Sequence, residues 1–116
     1  MAEVFSRAYL EPETYEPNTW VELFQLQDNK LTGAMIFDFS ISNTSKTNIT
    51  IEVQLVNFEN KIVHYILGPT KLQGQGISWD SSHKIVMMPG DKLLVKASEK
   101  GVSFYASILT NLKMPA

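Results

Sequence analysis

Few residues in this chain are of a type that does chemistry, and they do not gather. Hydrolysis by a nucleophile needs a base and a group to orient it, and the sequence offers two imidazoles, His64 and His83. His64 stands between Val63 and Tyr65 in an apolar stretch, the setting of a packed or edge-strand histidine, and His83 closes the turn-like run Asp80-Ser81-Ser82-His83. No Gly-x-Ser-x-Gly elbow, phosphate-binding loop, dinucleotide fingerprint or His-Glu-x-x-His pair occurs. Asp80, His83 and Asp91 would hold a metal only if their turns were neighbours, and each has a turn-forming role that needs no ion. The expectation is a protein with no catalytic residue, no cofactor and no metal, hence a non-enzyme.

What the chain does offer is aromatic surface. Trp20, Trp79, Tyr15 and Tyr105 are candidates for stacking on a sugar or for a subunit interface, and Trp79-Asp80 sets a platform beside a carboxylate acceptor. The competing reading is that these rings fill the core, where aromatics bury large areas.

The elements that must position these residues are strands. From Ile85 to Leu109 apolar and polar residues alternate, broken at Met88-Pro89-Gly90-Asp91 and Glu99-Lys100-Gly101, which reads as an antiparallel meander. Pro89 presets φ and Gly90 accepts positive φ, specifying a type II turn, while Gly101 suits the left-handed position of a three-residue hairpin loop. Ala34–Ser42 sets Met35, Phe37, Phe39 and Ile41 on one face, and Ile49, Ile51, Val53 and Leu55 repeat the pattern, so the two segments are expected to be hairpin partners. Asp28-Asn29 predicts another tight hairpin. Ile62–Leu67 is apolar on both parities and reads as a strand packed on two sides, stopped by Gly68-Pro69, with a mobile or exposed connection over 70–76. Val4–Leu10 is a strand, Glu11–Pro17 an acidic connector that two prolines exclude from a sheet, and 111–116 a frayed tail.

These segments predict a single all-β domain over 1–116, an antiparallel sandwich of about eight strands with jelly-roll or related Greek-key topology. Residues 1–18 form a partly extended acidic arm, and an immunoglobulin-like sandwich is the alternative fold. The 116 residues suit one core, and 44% apolar content is enough to fill it. Without cysteine, that core must hold the fold unaided by disulfides.

A net charge of −2 gives no field for nucleic acid or an anionic membrane. The charge is uneven, however: residues 1–28 carry six acids against Arg7, and the rest carries nine lysines against six acids, so neighbouring subunits could attract through them. The first residues lack a signal-peptide pattern and no run is long enough to span a membrane, so synthesis and folding in a cytoplasm are expected. Apolar residues on both parities at Ile62–Leu67, with Phe5 facing away from Ala8 and Leu10, exceed what one two-layer core needs and point to symmetric self-assembly.

One stretch adds a resemblance. Ile41-Ser42-Asn43-Thr44-Ser45, the alternating Ile49–Leu55, Trp79, Ile85–Met88, Pro89-Gly90-Asp91-Lys92-Leu93 and Tyr105-Ala106-Ser107-Ile108-Leu109 follow one another in an order that resembles small structural proteins of tailed bacteriophages. The resemblance covers about residues 34–109 and omits the Glu11–Pro17 segment. It implies a virion-associated β-sandwich of the tail, neck or adsorption apparatus, similar in fold to domains of phage receptor-binding proteins and made in the host cytoplasm. Its implied partners are copies of itself, as a trimer or hexamer, and other virion proteins. A carbohydrate-binding module serving host-surface recognition is the alternative.

Overall fold

The computed structural model describes residues 4–26, 32–75, 77–81 and 84–113, with the backbone alone for 77–81 and 113. Nine strands are present among the described residues: β1 (Val4–Leu10), β2 (Val21–Gln25), β3 (Thr32–Asn43), β4 (Ile49–Val56), β5 (Ile62–Leu72), β6 (Ile77–Ser81), β7 (Ile85–Met87), β8 (Lys92–Ala97) and β9 (Val102–Lys113). They form two antiparallel sheets. Sheet A runs β1-β9-β3, with β6 and β7 sharing the far side of β3, and sheet B runs β2-β8-β4-β5.

The pairing is nested. Counting β6 and β7 as one interrupted strand, the first strand pairs the last, the second the last but one, the third the sixth and the fourth the fifth. A long hairpin folded over itself in this way, closed by β3 on β9 and β4 on β8, is a jelly roll. Two apolar faces meet inside it: Ala34, Ile36, Phe39, Ile41, Phe104 and Ile108 from sheet A against Ile49, Ile51, Val53, Leu93 and Val95 from sheet B.

The roll overturns several local expectations. Ile85–Leu109 is not a meander, because β7, β8 and β9 alternate between sheets. The type II turn is present, with Gly90 at φ 91° and the Asp91 amide on the Met88 carbonyl, but it crosses from sheet A to sheet B. Gly101, at φ 113°, likewise turns the chain between sheets and closes no hairpin. β3 and β4 also lie in different sheets and are not partners, and neither are β2 and β3; the Asp28-Asn29 turn between the latter pair lies outside the described residues. Among the described strands only β4 and β5 are consecutive and paired. Alternation identifies a half-buried strand without naming its neighbour.

β3 shows where alternation itself fails. Its register against β9 shifts between Gly33 and Met35 and again between Ile36 and Asp38. The second shift changes parity, so Ala34 and Ile36 face inward before it and Phe39 and Ile41 after, while Met35 and Phe37 turn to the outer face. Phe37 there meets Phe5 edge-to-face at 5.9 Å. Three other expectations change as well. β5 continues through Gly68-Pro69 to Leu72, which an edge strand permits because its outward amide has no ladder partner to lose. The start of β5 is not packed on two sides; Ile62, Val63 and Tyr65 are exposed. Residues 111–113 continue β9, Leu112 and Lys113 opposite Gly33 and Thr32, rather than fraying.

Candidate functional site

With β6 and β7 running the same way as one interrupted strand, successive strands otherwise reverse direction, so the connections β1–β2, β3–β4, β5–β6 and β8–β9 gather at one end of a body 48 × 26 × 22 Å. This end is locked. Asn43, with no exposed surface, donates through Nδ2 to the carbonyls of Thr47 and Leu72, each at 2.8 Å. Its Oδ1 accepts from the Ser45 amide at 3.0 Å and the Ser45 hydroxyl at 2.7 Å. All four hydrogen-bonding positions of a buried amide are thus filled. The Gly101 carbonyl accepts the Thr44 amide and hydroxyl, and the Gly101 amide reaches the Pro12 carbonyl at 3.0 Å. Gly74 lies so close to the backbone of Ser45–Thr47 that a Cβ would stand 2.7–2.8 Å from it.

Tyr15 belongs to this lock. It is buried, its ring lies edge-on to Phe104 at 6.1 Å, and its hydroxyl donates to the Val102 carbonyl at 2.8 Å while accepting the Val102 amide at 3.1 Å. Burial raises the phenol pKa, with the Val102 hydrogen bond opposing it. Tyr15 is therefore a core residue rather than a ligand contact, and it ties the Glu11–Pro17 connector to the domain.

The other candidates separate. Trp20 is half-buried on sheet B, with the Lys96 ammonium 5.2 Å from its ring centroid and Lys96 paired to Glu52 at 3.3 Å. Trp79 and Asp80 have their backbone in β6 opposite Ile41 and Ser40, and their side chains lie outside what is described, as does His83. Asp91 is a buried turn residue whose Oδ2 accepts the Met88 amide at 2.9 Å; burial raises its pKa, and that hydrogen bond lowers it. His64 is exposed on the β5 edge.

Tyr105 does stand at a site. It lies on the outer face of sheet A opposite Tyr9 of β1, and both rings are exposed. Arg7, two residues before Tyr9 and so on the same face, places its guanidinium 5.7 Å from the Tyr9 ring centroid. Together with Glu11, Pro12 and Ser103 these residues line an open cleft of about 390 Å³ at the locked end. The sequence signal for Arg7 and Tyr9 was present: alternation in Val4–Leu10 puts Phe5, Arg7 and Tyr9 on one side, but pairing with Tyr105 required the β1–β9 register.

The described residues of the opposite end leave apolar side chains uncovered. Phe58 in the β4–β5 turn, Ile62 and Val63 at the start of β5, Val86 and Met88 around β7, and Val4 and Phe5 at the start of β1 are all exposed, Phe5 by 77%. On the outer face of sheet B, the buried Oε1 of Gln54 has no hydrogen-bond partner among the described residues, between Tyr65 and Leu94 of the flanking strands.

No protein-family model matches the chain, and no curated protein sequence matches it. Among solved structures its fold is similar to a chain in the crystal structure of the T13 IBDV viral particle, with a TM-score of 0.59 and 12% sequence identity. The match covers 96% of this chain and 31% of that one, so this chain spans about a third of the viral protein's length. The likeness is one of fold: a jelly roll of a kind found in a viral particle, with nothing specific to tailed phages.

Proposed function

We propose that this protein is a non-enzymatic structural component of a tailed-bacteriophage virion, acting in the tail, neck or adsorption region by self-assembly and by docking on other virion proteins. The observation that carries the reading is the apolar end. Val4, Phe5, Phe58, Ile62, Val63, Val86 and Met88 leave apolar surface in water at one end of a body whose other end is locked by hydrogen bonds. Exposed apolar surface concentrated in this way is the mark of an interaction face. The free edge of β5 adds to it, since Ile62–Leu67 contains neither proline nor lysine to discourage pairing. Similarity in fold to a viral-particle chain and the phage-like order of segments over 34–109 support the same reading, which implies a chain made in the host cytoplasm.

The test is the absolute mass in solution, by size-exclusion chromatography with light scattering, across protein concentration and salt. A trimer or hexamer of the 13.1 kDa chain is expected, with Val63→Lys shifting it toward monomer. A monomer at every concentration overturns the reading. Loss of the oligomer in high salt alone would assign it instead to attraction between the acidic first segment and the basic body.

A second reading, a carbohydrate-binding module used in host-surface recognition, is favoured by one observation, the Tyr9–Tyr105 cleft. That cleft is at the end opposite the apolar surface.

A further inference from the structure

We propose that the cleft between Tyr9 and Tyr105 binds a neutral hexopyranose unit of a glycan, stacked on the tyrosine rings and held at its hydroxyls by Arg7, Glu11 and Ser103. The inference deepens the carbohydrate reading and is independent of the assembly reading.

Four observations lead to it. The cleft volume of about 390 Å³ falls within the range of small-ligand sites, roughly 300–1,000 Å³, which suits one or two sugar rings. The two tyrosines face each other across a ladder pair on a rigid sheet, and their rings are exposed instead of buried in the core. Such rings offer flat apolar faces to the C–H face of a pyranose, with hydroxyl groups at their rims. Arg7 has no carboxylate within ion-pair distance among the described residues, so its planar set of donors is free to bridge adjacent hydroxyls. The backbone under the cleft is also fixed. Leu10 pairs with Phe104, and Pro12 is held by the Gly101 amide, so a ligand finds the platform already formed.

Charge selects the class of sugar. Arg7 is the cationic group lining the cleft, Glu11 lines it too, and Glu13 follows in the same turn. A carboxylated or sulfated sugar would set one ion pair with Arg7 against repulsion from the Glu11 carboxylate, whereas a neutral sugar uses Arg7 as donor and Glu11 as acceptor without repulsion. The Trp79-Asp80 platform suggested by sequence has its backbone on β6, across β3 from β9, and its side chains lie outside what is described.

The experiment is a two-dimensional amide NMR titration of the whole chain with D-glucose, D-galactose, D-mannose and, as a charged probe, N-acetylneuraminic acid, up to about 50 mM because single sugars bind at roughly millimolar strength. The expected result is saturable shifts at Arg7, Tyr9, Ser103 and Tyr105 with at least one neutral hexose. Tyr105→Thr and Arg7→Gln should each weaken that binding about tenfold or more, as loss of an anchor does. Threonine suits a strand, and neither residue is in the core, so both variants should keep the wild-type spectrum elsewhere. Val63→Lys, at the other end, should bind the sugar unchanged, and Tyr105→Thr should keep the wild-type mass, which separates failure of this inference from failure of the assembly reading. Absence of shifts with every sugar, shifts that persist in both cleft variants, or a response to N-acetylneuraminic acid alone would each overturn it.

Discussion

The two ends of this sandwich handle their exposed groups in opposite ways. At one, four connections converge and satisfy one another: Asn43 fills every hydrogen-bonding position it has, Tyr15 closes on Val102, Gly74 allows backbone to approach backbone, and Gly101 leaves room for the Ser45 side chain. At the other, Phe58, Ile62, Val63 and Met88 stand in water. Polar groups are buried and paired at the first end; at the second, apolar side chains of the described residues are left exposed.

The contrast can be broken most forcefully at Asn43. Asn43→Ala should lower unfolding free energy by about 3–5 kcal/mol, because the Thr47 and Leu72 carbonyls and the Ser45 amide lose their partner together. Urea denaturation measures this, and a loss under about 1 kcal/mol would show that water replaces the amide. Tyr15→Phe comes next, at about 2 kcal/mol, since it keeps the ring but strands the Val102 amide and carbonyl. Gly101→Ala should cost about 1–2 kcal/mol through its left-handed φ and a Cβ 2.8 Å from the Ser45 Cβ, and thermal melting would detect it.

Asp91 gives a smaller effect with a definite sign. Burial holds its folded-state pKa above the usual carboxylate value, so the protonated form favours the fold. Its contribution is fully present below the unfolded pKa and is lost as pH rises through the raised folded one. Asp91→Asn, whose amide oxygen can still accept from Met88, should therefore gain stability relative to wild type at neutral pH, with the difference fading on acidification. An advantage that grows instead as pH falls would reverse the assignment. Smallest of all is Val63→Lys, expected within about 0.5 kcal/mol of wild type in urea while the solution mass falls. A large loss of stability in that variant would mean that Val63 supports the fold itself.

The same contrast explains what was legible in the sequence. β4 keeps one register with β8 and buries Ile49, Ile51, Val53 and Leu55, as alternation requires. β3 does not, because the bulge between Ile36 and Asp38 swaps its faces, and a bulge leaves no mark in a run such as Met35-Ile36-Phe37-Asp38-Phe39. The type II turn at Pro89-Gly90 was readable because its backbone angles demand those residues; which sheet the next strand joins was not, since that depends on contacts far along the chain. Asn43 and Tyr15 sat in segments that read as polar loop and acidic connector. Their partners, Leu72 and Val102, lie 29 and 87 residues away, beyond any local pattern. Tyr105 was singled out and Tyr9 was not, because their meeting is a property of the β1–β9 ladder.

That ladder has a mechanical consequence. β1 and β9 are antiparallel neighbours, with Val4 opposite Thr110, so a pull that draws those two positions apart opens the ladder rung by rung, like a zipper, at low force. A pull that enters at the apolar end and leaves through the locked one runs along the strands, and every rung then shares the load in shear. A chain held at Val4 of β1 and pulled at Val102 of β9 is loaded in the strong direction, and single-molecule pulling with handles on those two axes would record the difference as a gap in rupture force.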